Sequence, residues 1–412
     1  MSEWIKAEEY CVSVFDGTHD TPKVTETGYK LVTSKNILSN TLDLNSAYFI
    51  SEEDFVNINK RSKVKQYDIL FSMIGTVGSL YFETSDTIDY AIKNIGVFSC
   101  GDKEKAEWLY YYLQSSYARQ YIKRYLNGAV QKFLPLKGLR EFPVPQFNKE
   151  LHNRIKILLN IDQKIQINNQ INQELEAMAK TLYDYWFVQF DFPDQNGNPY
   201  KSSGGKMVYN PELKREIPEG WGVEKVSEIA KTGSGGTPKS TTDEYYSNGT
   251  IPWINSGELN KSIIISTTNY ITEFGLENSS AKLFPADSIL IAMYGATAGK
   301  VSFLAFESST NQAICAVTLD DNRLKYYFKF FIEDLYSHLV TLSSGSARDN
   351  LSQDMIKNLL MINPNDRVIE TFFVLVDSYF LQITNNLKQN QELTQLRDWL
   401  LPMLMNGQVR ME

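Results

Sequence analysis

Residues 161–187 read IDQKIQINNQINQELEAMAKTLYDYWF, and this stretch decides the architecture. When it is extended back to residue 151, its apolar side chains recur at the a and d positions of a heptad. These positions are Leu151, Leu158, Ile161, Ile165, Leu175, Leu182 and Trp186. The spacing predicts one long helix, and such a helix cannot bury its apolar stripe alone.

A second stretch near the other end of the sequence has the same spacing. Its apolar positions are Ile369, Phe373, Val376, Phe380, Ile383 and Leu387, followed after a phase shift by Leu393, Leu396 and Leu400. Each helix of roughly 35–40 residues would be about 55–60 Å long. We expect the two helices to pack on each other in antiparallel orientation, with Asn168 and Asn172 in the seam fixing the register. The alternative is that each helix packs on its own domain.

The two helices belong to an internal repeat with a period of about 217 residues, half the chain. The matches are individually weak but follow one order along both halves. Trp4 answers Trp221, Thr21-Pro22-Lys23 answers Thr237-Pro238-Lys239, Ile69-Leu70 answers Ile289-Leu290, Asn94 answers Asn311, and Gly128-Ala129 answers Gly345-Ser346. A collinear set of this kind indicates a duplicated unit.

The segments that precede the two helices predict mixed α/β domains. YDILFSMIG (67–75), SILIAMYG (288–295) and TNQAICAVTL (310–319) are typical of strands. Residues 107–126 and 324–342 are typical of helices. The expected fold class is therefore α/β (mixed α+β): two globular domains in a pseudo-twofold repeat, joined by two long antiparallel coiled-coil helices. The predicted segments are 1–147 (domain 1), 148–190 (central helical spacer), 191–217 (linker), 218–364 (domain 2) and 365–412 (C-terminal helical spacer).

Composition narrows the possible classes of protein. The net charge of −8 argues against a protein that coats nucleic acid, although local basic runs at 60–65 and 115–140 leave room for specific contacts. No run of 18 or more apolar residues occurs, so we expect no membrane partner. The beginning of the sequence lacks the apolar core of a secretion signal. Cys11, Cys100 and Cys315 lie far apart without CxxC spacing, which favours the reducing cytoplasm.

Motifs that would carry chemistry are missing. His19, His152 and His338 have no second His or Cys at ligand spacing, so we predict no metal site and no catalytic residue. Residues 295–301 (GATAGKV) approach a phosphate loop but are one residue short and end in Val. Residues 233–240 (GSGGTPKS) are interrupted by a proline. The chain therefore has the features of a reader and not of a catalyst.

The sequence resembles the specificity subunit of type I restriction–modification systems over nearly its whole length. In the second half the resemblance lies in GGTPKS (235–240), IPWINSGEL (251–259), SILIAMYGATAGKV (288–301), STNQAICAV (309–317), SGSARDNLS (344–352) and LRDWLLPMLMNGQV (396–409). In the first half it lies in GTHDTPK (17–23), ILFSMIGTVG (69–78) and the helix at 161–187. The first half departs from the pattern of the second at one place: Gln131 stands where the second half has Arg348, and Lys132 lies beside it.

This resemblance implies a division of labour. Each α/β domain would be a target-recognition domain that reads one half of a split double-stranded DNA sequence in the major groove. The helices would set the spacing and dock two methyltransferase (M) subunits, and restriction (R) subunits would join from outside. No cofactor is expected in this chain, because S-adenosylmethionine, ATP and Mg would be bound by the partner subunits.

Three different assignments stay open beside this one. The chain could serve a methyltransferase-only or type IIB-like complex instead of a full restriction system. It could be an enzyme, with a methyltransferase or nuclease fused to a reader, although the missing motifs argue against this. It could also be a coiled-coil scaffold with no DNA role, against which the two-domain symmetry and the basic loops argue.

Candidate DNA contacts follow from side-chain chemistry. Basic side chains suit phosphates or guanine edges, amides suit adenine edges or hold loops, and hydroxyl-bearing residues shape the loops. The candidates are Thr21, Lys23, Lys63, Lys65, Thr76, Lys132, Thr237, Lys239, Ser240, Asn255, Tyr294, Thr297, Lys300, Asn311, Gln312, Ser346, Arg348 and Asn350. Candidate contacts with partner subunits lie on the helices: Leu158, Ile165, Leu175, Leu182, Trp186, Phe380, Leu387, Leu393 and Trp399.

Overall fold

The structure is a computed structural model that describes residues 4–38, 40–127, 133–295, 297–342 and 351–405. The chain divides into two compact units. Unit 1 comprises Met1–Ile165 together with Glu392–Glu412, and unit 2 comprises Gln166–Gln391. Each unit contains one α/β domain and a part of both long helices.

Unit 1 contains eleven short strands and five α-helices among its described residues before the first long helix. The strands are β1 (Trp4–Lys6), β2 (Ser13–Asp16), β3 (Tyr29–Val32), β4 (Ile37–Leu38), β5 (Thr41–Leu42), β6 (Tyr48–Ile50), β7 (Ile69–Ser72), β8 (Leu80–Phe82), β9 (Tyr90–Ile92), β10 (Ile95–Ser99) and β11 (Pro143–Pro145). The helices are α1 (Ala7–Tyr10), α2 (Glu52–Ser62), α3 (Lys103–Leu113), α4 (Ser116–Asn127) and α5 (Leu136–Arg140). The main sheet has four antiparallel strands in the order β2-β10-β7-β8. A second, three-stranded sheet, β6-β3-β9, contains one parallel pair, β3 with β9.

Local sequence explains where these helices begin. The side chain of Ser51 accepts a hydrogen bond from the backbone N–H of Asp54 and caps α2, and Asp102 caps α3 in the same way. The helical segment predicted at 107–126 is two helices. The chain turns at Gln114 and Ser115, and the Ser115 hydroxyl accepts from the N–H of Ala118 in the first turn of α4.

The long helix α6 (Lys149–Tyr183) has 35 residues and continues into one π-helical turn, Asp184–Val188. Unit 2 then repeats the plan of unit 1. Its strands are β12 (Met207–Asn210), β13 (Arg215–Pro218), β14 (Gly222–Lys225), β15 (Ala230–Ser234), β16 (Ile251–Ile254), β17 (Ile263–Ile264), β18 (Tyr270–Ile271), β19 (Leu283–Phe284), β20 (Ile289–Ala292), β21 (Val301–Leu304), β22 (Ser308–Thr310), β23 (Ile314–Leu319) and β24 (Leu360–Asn363). Its helices are α7 (Val226–Ile229), α8 (Glu273–Glu277), α9 (Lys325–Leu342) and α10 (Gln353–Lys357), and the long helix α11 (Asp366–Met405) follows with 40 residues.

The sheets of unit 2 correspond to those of unit 1. The five-stranded sheet β15-β23-β20-β21-β17 contains the antiparallel order β15-β23-β20-β21, which matches β2-β10-β7-β8. The second sheet, β18-β16-β22-β19, again has one parallel pair, β16 with β22. The predicted mixed α/β class and the duplication are confirmed.

The two long helices run antiparallel, as predicted, and polar side chains mark the seam in unit 2. Asn168 Nδ2 donates to Asn390 Oδ1 and to Gln389 Oε1, each at 2.8 Å, and Asn386 Nδ2 donates to Asn172 Oδ1 at 2.8 Å. A step of four residues forward on α6 is thus a step of four residues backward on α11. Because buried amides must find partners, this cluster favours one register over others.

Both predicted packing arrangements of the helices occur together. Leu151, Ile155 and Leu158 of α6 share a core with Leu401 and Leu404 of α11 and with the α/β domain of unit 1. In unit 2 the α11 residues Phe372, Val376 and Phe380 enter the core of the second domain. Each helix therefore packs both on the other helix and on a domain.

A tyrosine–aspartate pair ties a domain to a helix in each unit. Tyr111 Oη donates to Asp162 Oδ2 at 2.5 Å in unit 1, and Tyr326 Oη donates to Asp377 Oδ1 at 2.7 Å in unit 2. Asp162 also accepts from Arg397 Nη1 at 2.9 Å, which brings α11 into the same contact. Burial and these carboxylates raise the pKa of both tyrosines, so the hydroxyls stay protonated donors.

The segment predicted as a linker is part of unit 2, and its apolar side chains pack in the core of that unit. Residues 207–218 form the β12–β13 hairpin, and Phe190 and Phe192 stand against Trp221 with ring centroids 5.7 and 4.8 Å away. All three aromatic side chains are buried, and their rings cover one side of the hydrophobic core of unit 2.

The match of Trp4 with Trp221 in the sequence repeat is wrong. Trp4 lies three residues before α1 and takes the place of Val223, which lies three residues before α7.

Asn168→Ala should destabilise unit 2, because it removes the shared donor and leaves the side chains of Gln389 and Asn390 without that partner. The expected loss in free energy of unfolding is about 1–3 kcal/mol. Chemical denaturation followed by circular dichroism measures it. Gln170→Ala, at an exposed position of the same helix, is the matched control and should change little. Equal stability of both variants would contradict a structural role for the amide cluster.

Candidate nucleic-acid interface

Loops from four places in the chain meet at one edge of the main sheet in unit 1. The loop after β2 is held to the β9–β10 turn, because Gly17 N–H donates to Ile95 O at 2.8 Å and Asn94 N–H donates to Thr18 O at 3.1 Å. The chain after β7 is held to the segment before α5, where Leu134 N–H donates to Met73 O at 2.9 Å. Two of these segments, the loop after β2 and the chain after β7, carry the motifs GTHDTPK and ILFSMIGTVG of the family resemblance.

Unit 2 brings the equivalent loops together with the same bonds. Gly236 N–H donates to Thr310 O at 2.9 Å and Leu351 N–H donates to Met293 O at 2.8 Å. Glycine is required directly after β2 and directly after β15, where the backbone passes close to another strand. A Cβ on Gly17 would collide with the Ile92 carbonyl, and one on Gly235 with the Thr310 carbonyl. The two loop systems therefore share one backbone frame.

This frame corrects two residue matches of the sequence repeat. Thr18 N–H donates to Ile92 O in the same way as Gly236 N–H donates to Thr310 O, so the residues that follow, His19 and Thr237, are equivalent. Thr237 therefore corresponds to His19 and not to Thr21. Likewise Lys93 and Asn311 each donate their N–H to the last residue of the parallel partner strand. Asn94 therefore corresponds to Gln312 and not to Asn311, because the second half carries one more residue before β23.

In each unit a side-chain pair joins these two loops. His19 Nδ1 lies 2.7 Å from Asn94 Oδ1, and the Thr237 hydroxyl donates to Gln312 Oε1. Thr21 is bonded within unit 1 as well, since it accepts from Lys93 Nζ. His19, Thr237 and Gln312 are exposed. The pairs are thus accessible to a large ligand over the loops.

The predicted cationic contacts that the structure describes all lie on the surface. They are Lys23, Lys63, Lys65, Lys239 and Lys300. Thr21, Thr76, Ser240 and Tyr294 are exposed too, whereas Thr297 is half-buried in the turn before β21. Exposed lysines beside loops can bind an anionic backbone without a preformed pocket. Lys132, Ser346, Arg348 and Asn350 lie outside the described residues.

Two of the predicted amides hold the loops themselves. Asn311 Oδ1 accepts from Ala313 N–H at 3.1 Å, and Asn311 Nδ2 donates to Asn255 Oδ1 at 3.4 Å. The backbone N–H of Asn255 is bonded to Glu258 Oε1 at 2.9 Å. These contacts give the two residues the loop-holding role that amides can take, and Gln312 is the neighbouring amide that stays exposed.

The candidate partner contacts on the helices differ in exposure. Leu158, Trp186 and Phe380 are buried in the cores of this chain. Leu175, Leu182 and Leu387 are partly buried against the core of unit 2, and Ile165 and Leu393 are half-buried. Trp399 is 59% exposed, so its indole has the most surface left to offer another subunit.

A polar cluster beside the loops of unit 1 was not predicted from the sequence. The buried carboxylate of Asp16 lies between His19 Nε2, 3.1 Å from Oδ2, and Arg61 Nη2, 3.3 Å from Oδ1. Next to it is a recess of about 490 Å³, lined by Asp16, His19, Met73, Ile74, Asn94, Phe133, Pro135 and Leu136. The signal in the sequence was a histidine just before the Thr-Pro-Lys loop, but its partners come from distant segments.

The described residues show little that could perform chemistry. Within them, no group of three or more His, Cys, Asp or Glu side chains is placed to hold a metal ion. All three cysteines are free and buried, and burial raises the pKa of Cys315 to about 12, so its reactive thiolate is suppressed. Cys11 Sγ lies 3.7 Å from Cys100 Sγ, and that hydrogen bond together with burial raises the pKa of Cys11. Nor do these residues contain a helix apolar and long enough to cross a bilayer.

Comparison with known proteins agrees with this geometry. The family model "Type I restriction modification DNA specificity domain" matches residues 20–177 and 218–395. The MjaIX specificity subunit of Methanocaldococcus jannaschii is 29% identical over 313 residues, which are 74% of this chain and 70% of that protein. The HindI specificity subunit of Haemophilus influenzae is 25% identical over 407 residues, 85% of this chain and 88% of that protein.

A crystal structure of the S subunit of a type I restriction–modification system from M. genitalium aligns with 98% of this chain and 96% of its own, at 15% identity and a TM-score of 0.49. The two family matches cover one α/β domain each, with most of the adjoining helix, and together they span well over half of the sequence. The chain therefore belongs to the type I restriction–modification DNA specificity family.

Proposed function

We propose that this chain is a non-catalytic subunit that reads a split DNA target, one half with each unit. One observation carries the proposal: both units present the same backbone loop frame, and different exposed side chains occupy its equivalent positions. Proteins with twofold character read two-part sites in this manner, because each copy of the frame meets its own half-site. The exposed lysines beside the loops supply the phosphate contacts.

The partners follow from the family and from the helices. We propose two methyltransferase subunits bound along α6 and α11, with restriction subunits outside them, and helices whose length sets the gap between the half-sites. S-adenosylmethionine, ATP and Mg would be bound by these partners. Besides Trp399, exposed apolar side chains on α11 include Val374 and Leu381, at 58% and 60% exposure. They support a protein partner, since several large apolar side chains left exposed on one helix are typical of a protein-binding surface. Three free thiols support a reducing cytoplasm as the setting.

Target choice should be modular. Replacing residues 1–145 with the equivalent domain of a relative should change one half of the recognised sequence, because each unit has its own core. Selection of bound duplexes from a randomised pool, followed by sequencing, measures both halves at once. The exchange leaves α6 and α11 unchanged, and the unaltered second half serves as the internal control. A chimera that changed both halves would show that the units are not independent readers.

Lys239 and Lys300 should contribute charge and not sequence preference. Lys239→Gln with Lys300→Gln should weaken binding to all duplexes alike and reduce the slope of log affinity against log salt by about 0.9 per lost phosphate contact. Titrations at several salt concentrations give this slope. Lys201→Gln, an exposed lysine of the connecting segment, is the matched control. If the double variant kept the wild-type slope, these lysines would not touch the phosphate backbone.

The purified chain alone should neither methylate nor cleave DNA, because its sequence lacks the motifs of an enzyme and its described residues hold no metal-binding cluster for cleavage. Transfer of labelled methyl groups from S-adenosylmethionine, and strand scission with ATP and Mg present, are the assays. Addition of the methyltransferase partner should restore methyl transfer and serves as the positive control. Methylation by the chain without a partner would overturn the non-catalytic assignment.

A further inference from the structure

The pairs His19–Asn94 and Thr237–Gln312 have the properties of specificity-determining positions. They occupy equivalent places, because the residues just before them donate their backbone N–H groups to equivalent carbonyls in the two units: Thr18 and Gly236 in the first loop, Lys93 and Asn311 in the second. His19 and Thr237 differ in side-chain chemistry, whereas Asn94 and Gln312 carry the same amide group on side chains of different length. Both pairs lie on loops that the sheet holds in place. A frame that is kept while its exposed side chains change is what a family needs to read many sequences.

In unit 1 the pair is part of a larger arrangement built on Asp16. Its side chain is 6% exposed, whereas those of His19 and Arg61 are 63% and 72% exposed. Asp16 thus lies behind these two side chains and contacts both, Arg61 from the last turn of α2 and His19 from the loop after β2. A buried carboxylate of this kind restricts the directions in which its partners can point.

The most exposed side chain of this cluster, that of Arg61, can only donate hydrogen bonds. Asn94 Oδ1 faces His19, and each Asp16 oxygen contacts a nitrogen of His19 or Arg61. The amide nitrogen of Asn94 and the remaining nitrogens of the Arg61 guanidinium are donors as well. The recess of about 490 Å³ opens beside these groups, with Ile74 and Phe133 40% and 39% exposed along it.

We propose that Arg61 and Asn94, positioned by Asp16 and His19, read a guanine in the first half of the target; this rests on the proposed function. In the major groove guanine presents two acceptors, N7 and O6, whereas adenine presents a donor with its acceptor, cytosine a donor and thymine one acceptor beside a methyl group. The exposed Arg61 guanidinium offers only donors, and its fork matches the two acceptors of guanine best.

Unit 2 lacks the carboxylate that holds this arrangement in unit 1. The place of Asp16 at the end of β2 is taken by Ser234 at the end of β15. Ser234 Oγ donates to Gln353 Oε1 at 3.1 Å, and Gln353 Nε2 donates to Thr232 Oγ1 at 2.9 Å. Thr237 keeps acceptor capacity while Gln312 keeps amide donors. The two half-sites should therefore differ at this position.

The test is selection of bound duplexes from a randomised pool by the full chain, compared with its Arg61→Lys variant. The wild type should require a guanine at one position of the first half-site. Arg61→Lys keeps the charge but loses the fork, so the preference for guanine there should fall roughly 5- to 150-fold. The second half-site should be unchanged. Asp16→Asn, which keeps the size of the side chain, should weaken the same preference, and a melting curve confirms that it is folded.

Arg367→Lys is the matched control, because it makes the same change at an exposed arginine in the first turn of α11, outside both basic runs, and it should select the wild-type sequence. Should Arg61→Lys and Asn94→Ala both keep the wild-type preferences throughout the first half-site, the assignment of these residues would be wrong. The same holds if the wild type selects a first half-site without guanine. A wild-type chain that selected no sequence would instead overturn the proposed function.

Discussion

Two apolar stripes that would otherwise face water impose the arrangement of this molecule. Each long helix buries its stripe twice, against the other helix and against an α/β domain, so the larger core of each unit includes residues of the long helices. Buried amides within the seam add a constraint of another kind, because apolar contacts tolerate sliding and hydrogen bonds between Asn168 and Asn390 do not. The apolar stripe makes the helices pair, and the amides determine where along their length they do so.

The duplication, the α/β class and the antiparallel helices could be predicted, because each rests on a periodic or repeated pattern that a sequence displays directly. The exact residue matches could not. One added residue before β23 moves Asn94 from the place of Asn311 to that of Gln312, and only backbone hydrogen bonds reveal it. The cluster of Asp16, His19 and Arg61 was out of reach for a related reason: its members come from separate segments, and burial of the carboxylate depends on the folded sheet.

In the loops, the residues that hold the backbone in shape are not the residues whose side chains project from it. Asn255 and Asn311 use their amide groups on one another and on the backbone, which keeps the loops of unit 2 in shape. Thr237 and Gln312 project from the loops so held. In unit 1 His19 and Asn94 do the same, with an imidazole in place of the hydroxyl and with the amide on a shorter side chain. A residue that shapes a loop can stay the same across targets, whereas a residue that touches a base must change with it.

The placement of Leu401 and Leu404 in the core of unit 1 has a consequence for synthesis on the ribosome. Unit 2 draws on one continuous stretch of chain and can complete its core as soon as that stretch has emerged. Unit 1 is synthesised first, yet its larger core stays incomplete until the far end of α11 arrives. The first domain to be made is thus the last to be finished, and the apolar surface of that core stays uncovered while more than half of the chain is synthesised.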